Sequence, residues 1–534
     1  MSKPKSARTY WCDSCQVPLI GELCGACGAE GRNLAAATLV PVFRTEINYL
    51  RKHIVQDLHP WLRELELWVT PTNYTYYSHG EVLFKLSAAS ADVAPGKMKP
   101  PPQALAKRTR SDALELLREA NKNYIERLQY EAESFIRKAV SQFSGRPILV
   151  SFSGGKDSTV ASHLVMNGLG RSDILHIFAD TTIELPDTYK YLQSFQKEHP
   201  LTPIISSRST LDFFQTAESI GPPSRILRWC CSTHKTNPLS KLIDSMSPFD
   251  GVLTFDGIRK AESSRRTHYP RITTQHKIAR EVLARPILDW SDLAVWIYLL
   301  YHGITFNPAY KKGFRRVGCL FCPFNSEWSC RMIKYWHASQ DNRWTQFLVQ
   351  HAMRMNHQNP ENFVFKGWRT RAGGRGLDHY KTTIESAPCL LSDTAVSYQL
   401  LSGEIKNVRH FLRPLGPQTQ IKCDGYFETF LIHDKDTREI LASVEIGFED
   451  KAIRINYILK KNSRRFQQRI EKQLRKLQSC IYCGSCEAKC SNNALCSSGN
   501  YSILNESCVS CLHCVSHDCL AVKSLHFNGK KIDG

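Results

Sequence analysis

The stretch that most limits how this chain can fold is Ile148-Leu149-Val150-Ser151-Phe152-Ser153-Gly154-Gly155-Lys156-Asp157-Ser158. An apolar run enters a short Ser/Gly turn, and a helix-like segment from Thr159 to Val165 leaves it. This strand–turn–helix plan makes an anion site. Gly154 and Gly155 let the backbone approach a phosphate, and the free N–H groups of the helix start face the negative charge. Lys156 adds a mobile cation, and Ser153 and Ser158 offer hydroxyls. The pattern is neither G-x-x-x-x-G-K-[ST] nor G-x-G-x-x-G.

The following segments repeat the plan. A strand is expected at Ile174–Ala179, leading into Asp180-Thr181-Thr182-Ile183-Glu184, and another at Val252–Asp256, leading into Gly257-Ile258-Arg259-Lys260. Strands alternating with helical stretches predict an α/β fold with a doubly wound parallel sheet. In such sheets the polar residues at the carboxyl ends of the strands line the ligand crevice. Asp180 and Glu184 are therefore candidates for nucleotide or Mg²⁺ contacts, with an acidic helix cap as the alternative. The glycine turn at Gly257 and the cations Arg259, Lys260, Arg265 and Arg266 make a second anion-binding corner.

Ser153–Ser158 resembles the pyrophosphate loop (PP-loop) of the N-type ATP pyrophosphatases, an adenine nucleotide alpha hydrolase-like fold. From this loop the ordered set runs through Asp180-Thr181 and Cys230-Cys231 with Lys235 and Pro238. It ends with Gly257-Ile258-Arg259 and Gly318-Cys319-Leu320-Phe321-Cys322-Pro323, and as a whole it resembles the phosphoadenosine phosphosulfate (PAPS) reductase family over roughly residues 145 to 335. The resemblance implies an adenine nucleotide with Mg²⁺ at Ser153, Gly154, Gly155, Lys156, Asp157, Ser158, Asp180, Glu184, Gly257, Arg259 and Arg265. It also implies one [4Fe–4S] cluster on Cys230, Cys231, Cys319 and Cys322, for which four thiolates suffice. Two departures matter. The loop is intact, as in relatives that split ATP, and no Glu-Cys-Gly-Leu-His-like tail closes the chain. Lys156, Asp157, Ser158 and Cys330 are the candidate catalytic residues. Cys330 remains open between cluster ligand, sulfur-carrying nucleophile and inert buried thiol.

The chain holds twenty cysteines, and their grouping indicates metal chemistry rather than disulfides. Cys12-x-x-Cys15 and Cys24-x-x-Cys27 suit one tetrahedral ion, zinc or rubredoxin-like iron. Cys480-x-x-Cys483-x-x-Cys486-x-x-x-Cys490 followed by Cys508-x-x-Cys511-x-x-Cys514-x-x-x-x-Cys519 resembles a bacterial two-cluster ferredoxin. There the fourth cysteine of each run serves the other cluster. That assigns Cys480, Cys483, Cys486 and Cys519 to one cluster, and Cys508, Cys511, Cys514 and Cys490 to the second. Ser491 stands where proline is usual and the second run is one residue longer, which leaves Cys496 as a spare.

Between these motifs the chain is less telling. A helical pattern covers Phe43–Trp68, a strand-like stretch Tyr74–Leu86, a Pro/Gly linker Ala94–Pro102 and a long helix Asp112–Phe143. Strand-like runs follow at Tyr426–His433, Ile440–Ile446 and Ala452–Ile458, with a basic helix at Lys460–Leu477. The expected organisation is a zinc ribbon (1–32), an accessory region and linker (33–108), a PP-loop domain (109–340), a basic extension (341–400), a small α+β domain (401–465) and a ferredoxin domain (466–534).

A formal charge of +20, from 70 Lys+Arg against 50 Asp+Glu, favours an anionic partner such as a nucleic acid. Residues from about Ile333 to Ser397, including Arg369–Gly376, interleave aromatics with arginines, which suits a single strand; the alternative is an ordinary basic extension packed on the sheet. Met1–Ser6 is polar with no apolar run behind it, and no apolar stretch approaches the roughly 18 residues of a membrane span. A cytoplasmic location without a membrane partner is expected. Together these features predict an ATP-using, iron–sulfur enzyme of reductive sulfur transfer, with an electron donor, a sulfur-donor protein and a nucleic-acid acceptor as candidate partners. The alternatives are a sulfonucleotide reductase forming sulfite and a non-enzymatic iron–sulfur scaffold.

Overall fold

Along Ile148–Ser151 the side chains alternate: Leu149 packs with Ile177, Val252 and Ile243, while Val150 joins a second cluster with Phe152 and Val160. A strand that is apolar on both faces must be covered on both. In the computed structural model it lies at the centre of a six-stranded sheet in the order 204–208, 175–180, 148–151, 252–255, 281–284 and 272–273. The first five strands are parallel, and the short edge strand Ile272–Thr273 is antiparallel. The helices Lys156–Leu169 and Asp292–Tyr301 cover one face with the long helix Arg110–Gln142, and Asn237–Met246 covers the other. The order in which the chain adds strands switches from one side of Ile148–Ser151 to the other at Val252–Phe255, and the carboxyl ends of these two parallel strands open the crevice where α/β sheets take ligands.

The structure describes residues 8–34, 38–56, 58–60, 62–87, 93–94, 110–225, 228–246, 251–274, 278, 280–355, 359–369, 384–389, 392, 394–458 and 463–516. Among these no helix is long and apolar enough to cross a membrane. The linker at Pro95–Pro102, the segment Thr370–Gly376 and Cys519 lie outside the described residues.

At the N-terminus, Tyr10–Cys12, Val17–Leu19 and Arg32–Asn33 form a three-stranded antiparallel sheet. It docks on the long helix, where Asn121 accepts from Ile20 N at 2.9 Å and donates to Pro18 O at 3.0 Å. A five-stranded antiparallel sheet follows, between Val40 and Ala94. The helical pattern read over Phe43–Trp68 is realised only as Arg44–His53, after which Leu67–Val69 is a strand. Ile54-Val55 is β-branched and Pro60 offers no N–H, so the helix stops within a turn. The stretch Tyr74–Leu86 is a hairpin, Thr75–Ser78 against Glu81–Leu86.

The C-terminal sheet is antiparallel, ordered 385–388, 395–399, 452–457, 440–447, 427–433 and 418–423. Its buried face, with Phe430, Ile432, Val444, Ile453 and Ile455, packs on Phe411, Phe466, Ile470 and Leu474 of two helices. Glu385–Pro388 and Ala395–Gln399, assigned above to the basic extension, belong to this sheet. Their polar composition hid them. The cysteine-rich segment completes the same core through Cys486, Leu495, Tyr501, Ile503 and Val515.

Candidate functional site

The anion loop is built as its residues require. Gly154 sits at φ +69°, and a Cβ there would lie 2.9 Å from Thr188 Cγ2. Gly257 packs directly on the helix start, where a Cβ would meet the Asp157 carbonyl at 2.6 Å. The two glycine turns are thus pressed together across the sheet centre. Ser153 Oγ and Ser158 Oγ lie 3.1 Å apart, and Ser158 Oγ also accepts from Ser153 N at 3.2 Å. The helix has no side-chain cap at Gly155, so its dipole and first amides face the crevice.

Lys156 and Arg259 are not presented to solvent. Lys156 Nζ lies 2.7 Å from Asp157 Oδ2 and 3.1 Å from Asp292 Oδ1. Arg259, 1% exposed, donates to the same two carboxylates at 2.6 and 2.7 Å. Two buried cations and two half-buried carboxylates therefore balance. Burial opposes the charged forms, yet Lys156 and Arg259 hold Asp292 down to about 2, and Asp157 and Asp292 raise Lys156. Asp292 was missed by sequence reasoning; it reads locally as an acidic residue in a helix first turn, behind the cap Ser291. Two more missed residues fix the loop: Asn307 donates to Gly154 O at 3.0 Å, and the Tyr310 hydroxyl accepts from Lys156 N at 3.0 Å.

Asp180 Oδ1 accepts from Thr182 N at 2.8 Å and from the Tyr189 hydroxyl at 2.7 Å, which shapes the turn after its strand. Glu184 faces the thiols instead of the phosphate loop. It is buried, 3.3 Å from Cys319 Sγ and 3.1 Å from Lys235 Nζ, and it accepts from Thr181 Oγ1 at 2.8 Å. Arg265 is exposed on the segment after Gly257.

Cys230, Cys231, Cys319 and Cys322 come together around Lys235 and Glu184. The vicinal hydrogen bond to Cys231, then burial, pushes the Cys230 thiol up; Cys319 and Cys322 add to it. Burial and then Glu184 raise Cys319, and Lys235 opposes them. Such thiols gather where a cationic centre replaces their protons. The loop bearing Cys319 is braced by the helix Arg44–His53 and the five-stranded sheet: Arg315 Nη1 donates to the fully buried Glu46 carboxylate at 2.7 Å, and the Tyr76 hydroxyl donates to Glu46 at 3.0 Å. Cys330 lies aside, accepting from the buried Arg369 guanidinium at 2.9 Å; burial pushes its thiol up. Arg369, read above as part of a nucleic-acid surface, is packed inside.

The four N-terminal sulfurs all lie within 4.8 Å of one another. Cys12–Cys27 is 3.5 Å and Cys15–Cys24 is 3.7 Å, close to the ~3.8 Å edge of a tetrahedron with Zn–S of about 2.3 Å. In the C-terminal segment Cys490, Cys508, Cys511 and Cys514 line one small cavity of about 20 Å³. That grouping takes the last cysteine of the first run and the first three of the second.

Comparison with known proteins matches residues 147–325 to the phosphoadenosine phosphosulfate reductase domain. Residues 147–325 form a PAPS reductase domain. An uncharacterized protein of Methanocaldococcus jannaschii is 35% identical over 259 residues, 48% of this chain and 52% of that protein. The chain thus spans about half the length of that relative. An adenosine 5'-phosphosulfate reductase of Shouchella clausii is 24% identical over 213 residues, 40% of this chain and 77% of that enzyme. A crystal structure of PAPS reductase from Candida auris aligns at 15% identity, covering 37% of this chain and 95% of that one, with a TM-score of 0.29. The PAPS reductase domain is one of nucleotide-using enzymes, and the phosphate loop and four thiols described here both fall within it.

Proposed function

We propose that the chain is an ATP-using iron–sulfur enzyme that adenylates its substrate and then transfers sulfur reductively. One observation carries this reading: the stretch Thr181–Thr188 touches both halves of the crevice. Thr181 Oγ1 lies 3.5 Å from Cys319 Sγ and Glu184 accepts from that thiol, while Thr188 Oγ1 accepts from Asn307, which holds the phosphate loop. A nucleotide seated on the loop therefore has the thiol set as its neighbour along one strand end.

In this reading a substrate oxygen attacks the α-phosphorus of ATP, the bond to pyrophosphate breaks, and the oxygen's proton passes to solvent. The amides of the helix start and the Ser153 and Ser158 hydroxyls stabilise the leaving pyrophosphate. Lys156 acts with Asp157, Asp292 and Arg259 to hold the loop in shape, and Mg²⁺ accompanies the nucleotide. Cys230, Cys231, Cys319 and Cys322 would hold a [4Fe–4S] cluster, as would the two C-terminal sets, and these supply one-electron chemistry when bound. Cys12, Cys15, Cys24 and Cys27 would hold zinc. A nucleic acid is the acceptor that the basic charge favours.

A sulfonucleotide reductase is the second reading, favoured by the match to adenosine 5'-phosphosulfate reductase and by the burial of Lys156. Pyrophosphate decides between them. Anaerobic protein given ATP, Mg²⁺, a nucleic-acid acceptor and a sulfur donor should release AMP and pyrophosphate, and Lys156→Ala or Asp292→Asn should slow this by about 10²-fold. Sulfite formed from PAPS or adenylyl sulfate without ATP, with no AMP and pyrophosphate formed from ATP, overturns the first reading in favour of the second.

A further inference from the structure

The turn after the vicinal cysteines carries polar groups that nothing in its own domain satisfies. Ser232–Thr236 is a single π-helical turn, a form that recurs at functional sites. Within it Thr233 and His234 are fully buried, and both His234 ring nitrogens have no hydrogen-bond partner among the described residues. Buried orphans of this kind call for a reason. The Thr233 hydroxyl lies against the Cys483 sulfur.

The next helix continues the contact. A Cβ on Gly484, at φ +74°, would fall 2.1 Å from Asn237 Nδ2, so this backbone is seated on the Asn237 side chain. Asn237 Nδ2 donates to Ser498 Oγ at 3.4 Å. Lys241 Nζ pairs with Glu487 Oε2 at 3.2 Å, and Glu487 in turn accepts from Ser498 N at 2.9 Å. Ile481 packs on the large hydrophobic core that the parallel-sheet domain shares with the N-terminal sheets. The second run meets other neighbours: Arg413 donates to Cys508 O at 3.1 Å and to Ser510 Oγ at 3.1 Å, and Cys511 is exposed.

We propose that Ser232–Met246 is the seat that orients the C-terminal cysteine segment, making Cys480, Cys483 and Cys486 the inner set, against Cys230–Cys231, and Cys490, Cys508, Cys511 and Cys514 the outer set. The ordering rests on the function proposed above. Hydrogen bonds to ligating sulfurs tune such centres, and Thr233 Oγ1 is the donor placed to reach Cys483. A reduced one-electron donor protein meets the outer set first, through Cys511.

The test uses the full chain, reconstituted anaerobically with iron and sulfide and reduced with dithionite. Microwave-power saturation of the electron-spin resonance signal from the Cys230/Cys319 centre should show fast relaxation by a neighbouring centre. Cys483→Ser should slow that relaxation severalfold, and Cys508→Ser should leave it near wild type. An equal effect of both, or an effect of Cys508→Ser alone, overturns the ordering. Hydrogen exchange reads the seat separately: Gly484→Val should raise amide exchange across 232–246, and unchanged exchange there overturns the seat. An iron count of about eight instead of about twelve per chain sinks the cluster on Cys230, Cys231, Cys319 and Cys322, while the exchange result still decides the seat.

Discussion

Two sets of four cysteines are built in opposite ways. Cys12, Cys15, Cys24 and Cys27 come from two tight turns of one small sheet, and their sulfurs crowd within 4.8 Å. Local chain geometry alone draws them together. Cys230, Cys231, Cys319 and Cys322 come from two distant segments and meet only because the parallel sheet brings its strand ends to one crevice. Charged groups stand among them, Lys235 and Glu184, and the loop carrying two of them is braced from outside by Glu46 and Arg315. The first set has the build of a structural ion site, closed and self-sufficient. The second depends on the whole domain and has a cation and a carboxylate set among its thiols.

The largest expected effect separates the two sets directly. Cys319→Ser should abolish sulfur transfer, to below about 10⁻³ of wild type, and remove about four irons while zinc stays near one per chain. Cys15→Ser should do the reverse, releasing zinc and lowering the melting temperature while iron and pyrophosphate release persist. Metal analysis and calorimetry of the two variants side by side check this. Loss of iron from Cys15→Ser would erase the distinction.

Glu46→Gln probes the brace. It leaves the Arg315 guanidinium buried without its counter-charge, which costs about 3–5 kcal/mol. The loop from Phe314 to Cys322 should loosen, so iron on the second set should become accessible to a chelator before the zinc does. Chelation kinetics in urea read the order of release.

The same contrast explains what could be read from the chain. The strand–turn–helix at Ser153–Ser158 and the gathering of Cys12, Cys15, Cys24 and Cys27 were legible because their geometry is written in neighbouring residues. So were Cys230, Cys231, Cys319 and Cys322, through the ordered resemblance. Asp292 was not, since its partners Lys156 and Arg259 belong to other strand ends and locally it looks like an ordinary helix start. Glu184 was read toward the nucleotide because its position after a strand is right for that; only the fold turns it toward Cys319. The role of residues 40–86 as a brace for the thiol loop was equally hidden, since Glu46 and Tyr76 carry no motif.

Acid should expose a smaller difference. Burial lowers His163 and His176, both in the parallel-sheet domain, from 6.5 to about 4. The unfolded chain then takes up these protons first, so the stability they contribute is complete above pH 6.5 and is lost as pH falls toward 4. Each histidine accounts for about 3 kcal/mol over that window. Asp292, held down to about 2, adds its loss only below about pH 4. Urea midpoints measured by tryptophan fluorescence should fall between pH 6.5 and 4, and His176→Gln should flatten that fall.

Arg265→Ala should have the smallest effect, and it tests where the charge control of the crevice lies. Arg265 is exposed, on the segment that follows the buried Gly257–Arg259 turn. An exposed cation acts on a phosphate through a screened field and contributes little to folding. If the ion-paired quartet of Lys156, Arg259, Asp157 and Asp292 shapes the loop while exposed arginines gather the nucleotide, Arg265→Ala should raise KM for ATP up to about tenfold. It should leave kcat and the melting temperature unchanged, and the KM penalty should shrink as salt rises. A fall in kcat with KM unchanged would instead place Arg265 on the reacting phosphate, and the division of labour between buried and exposed cations would have to be redrawn.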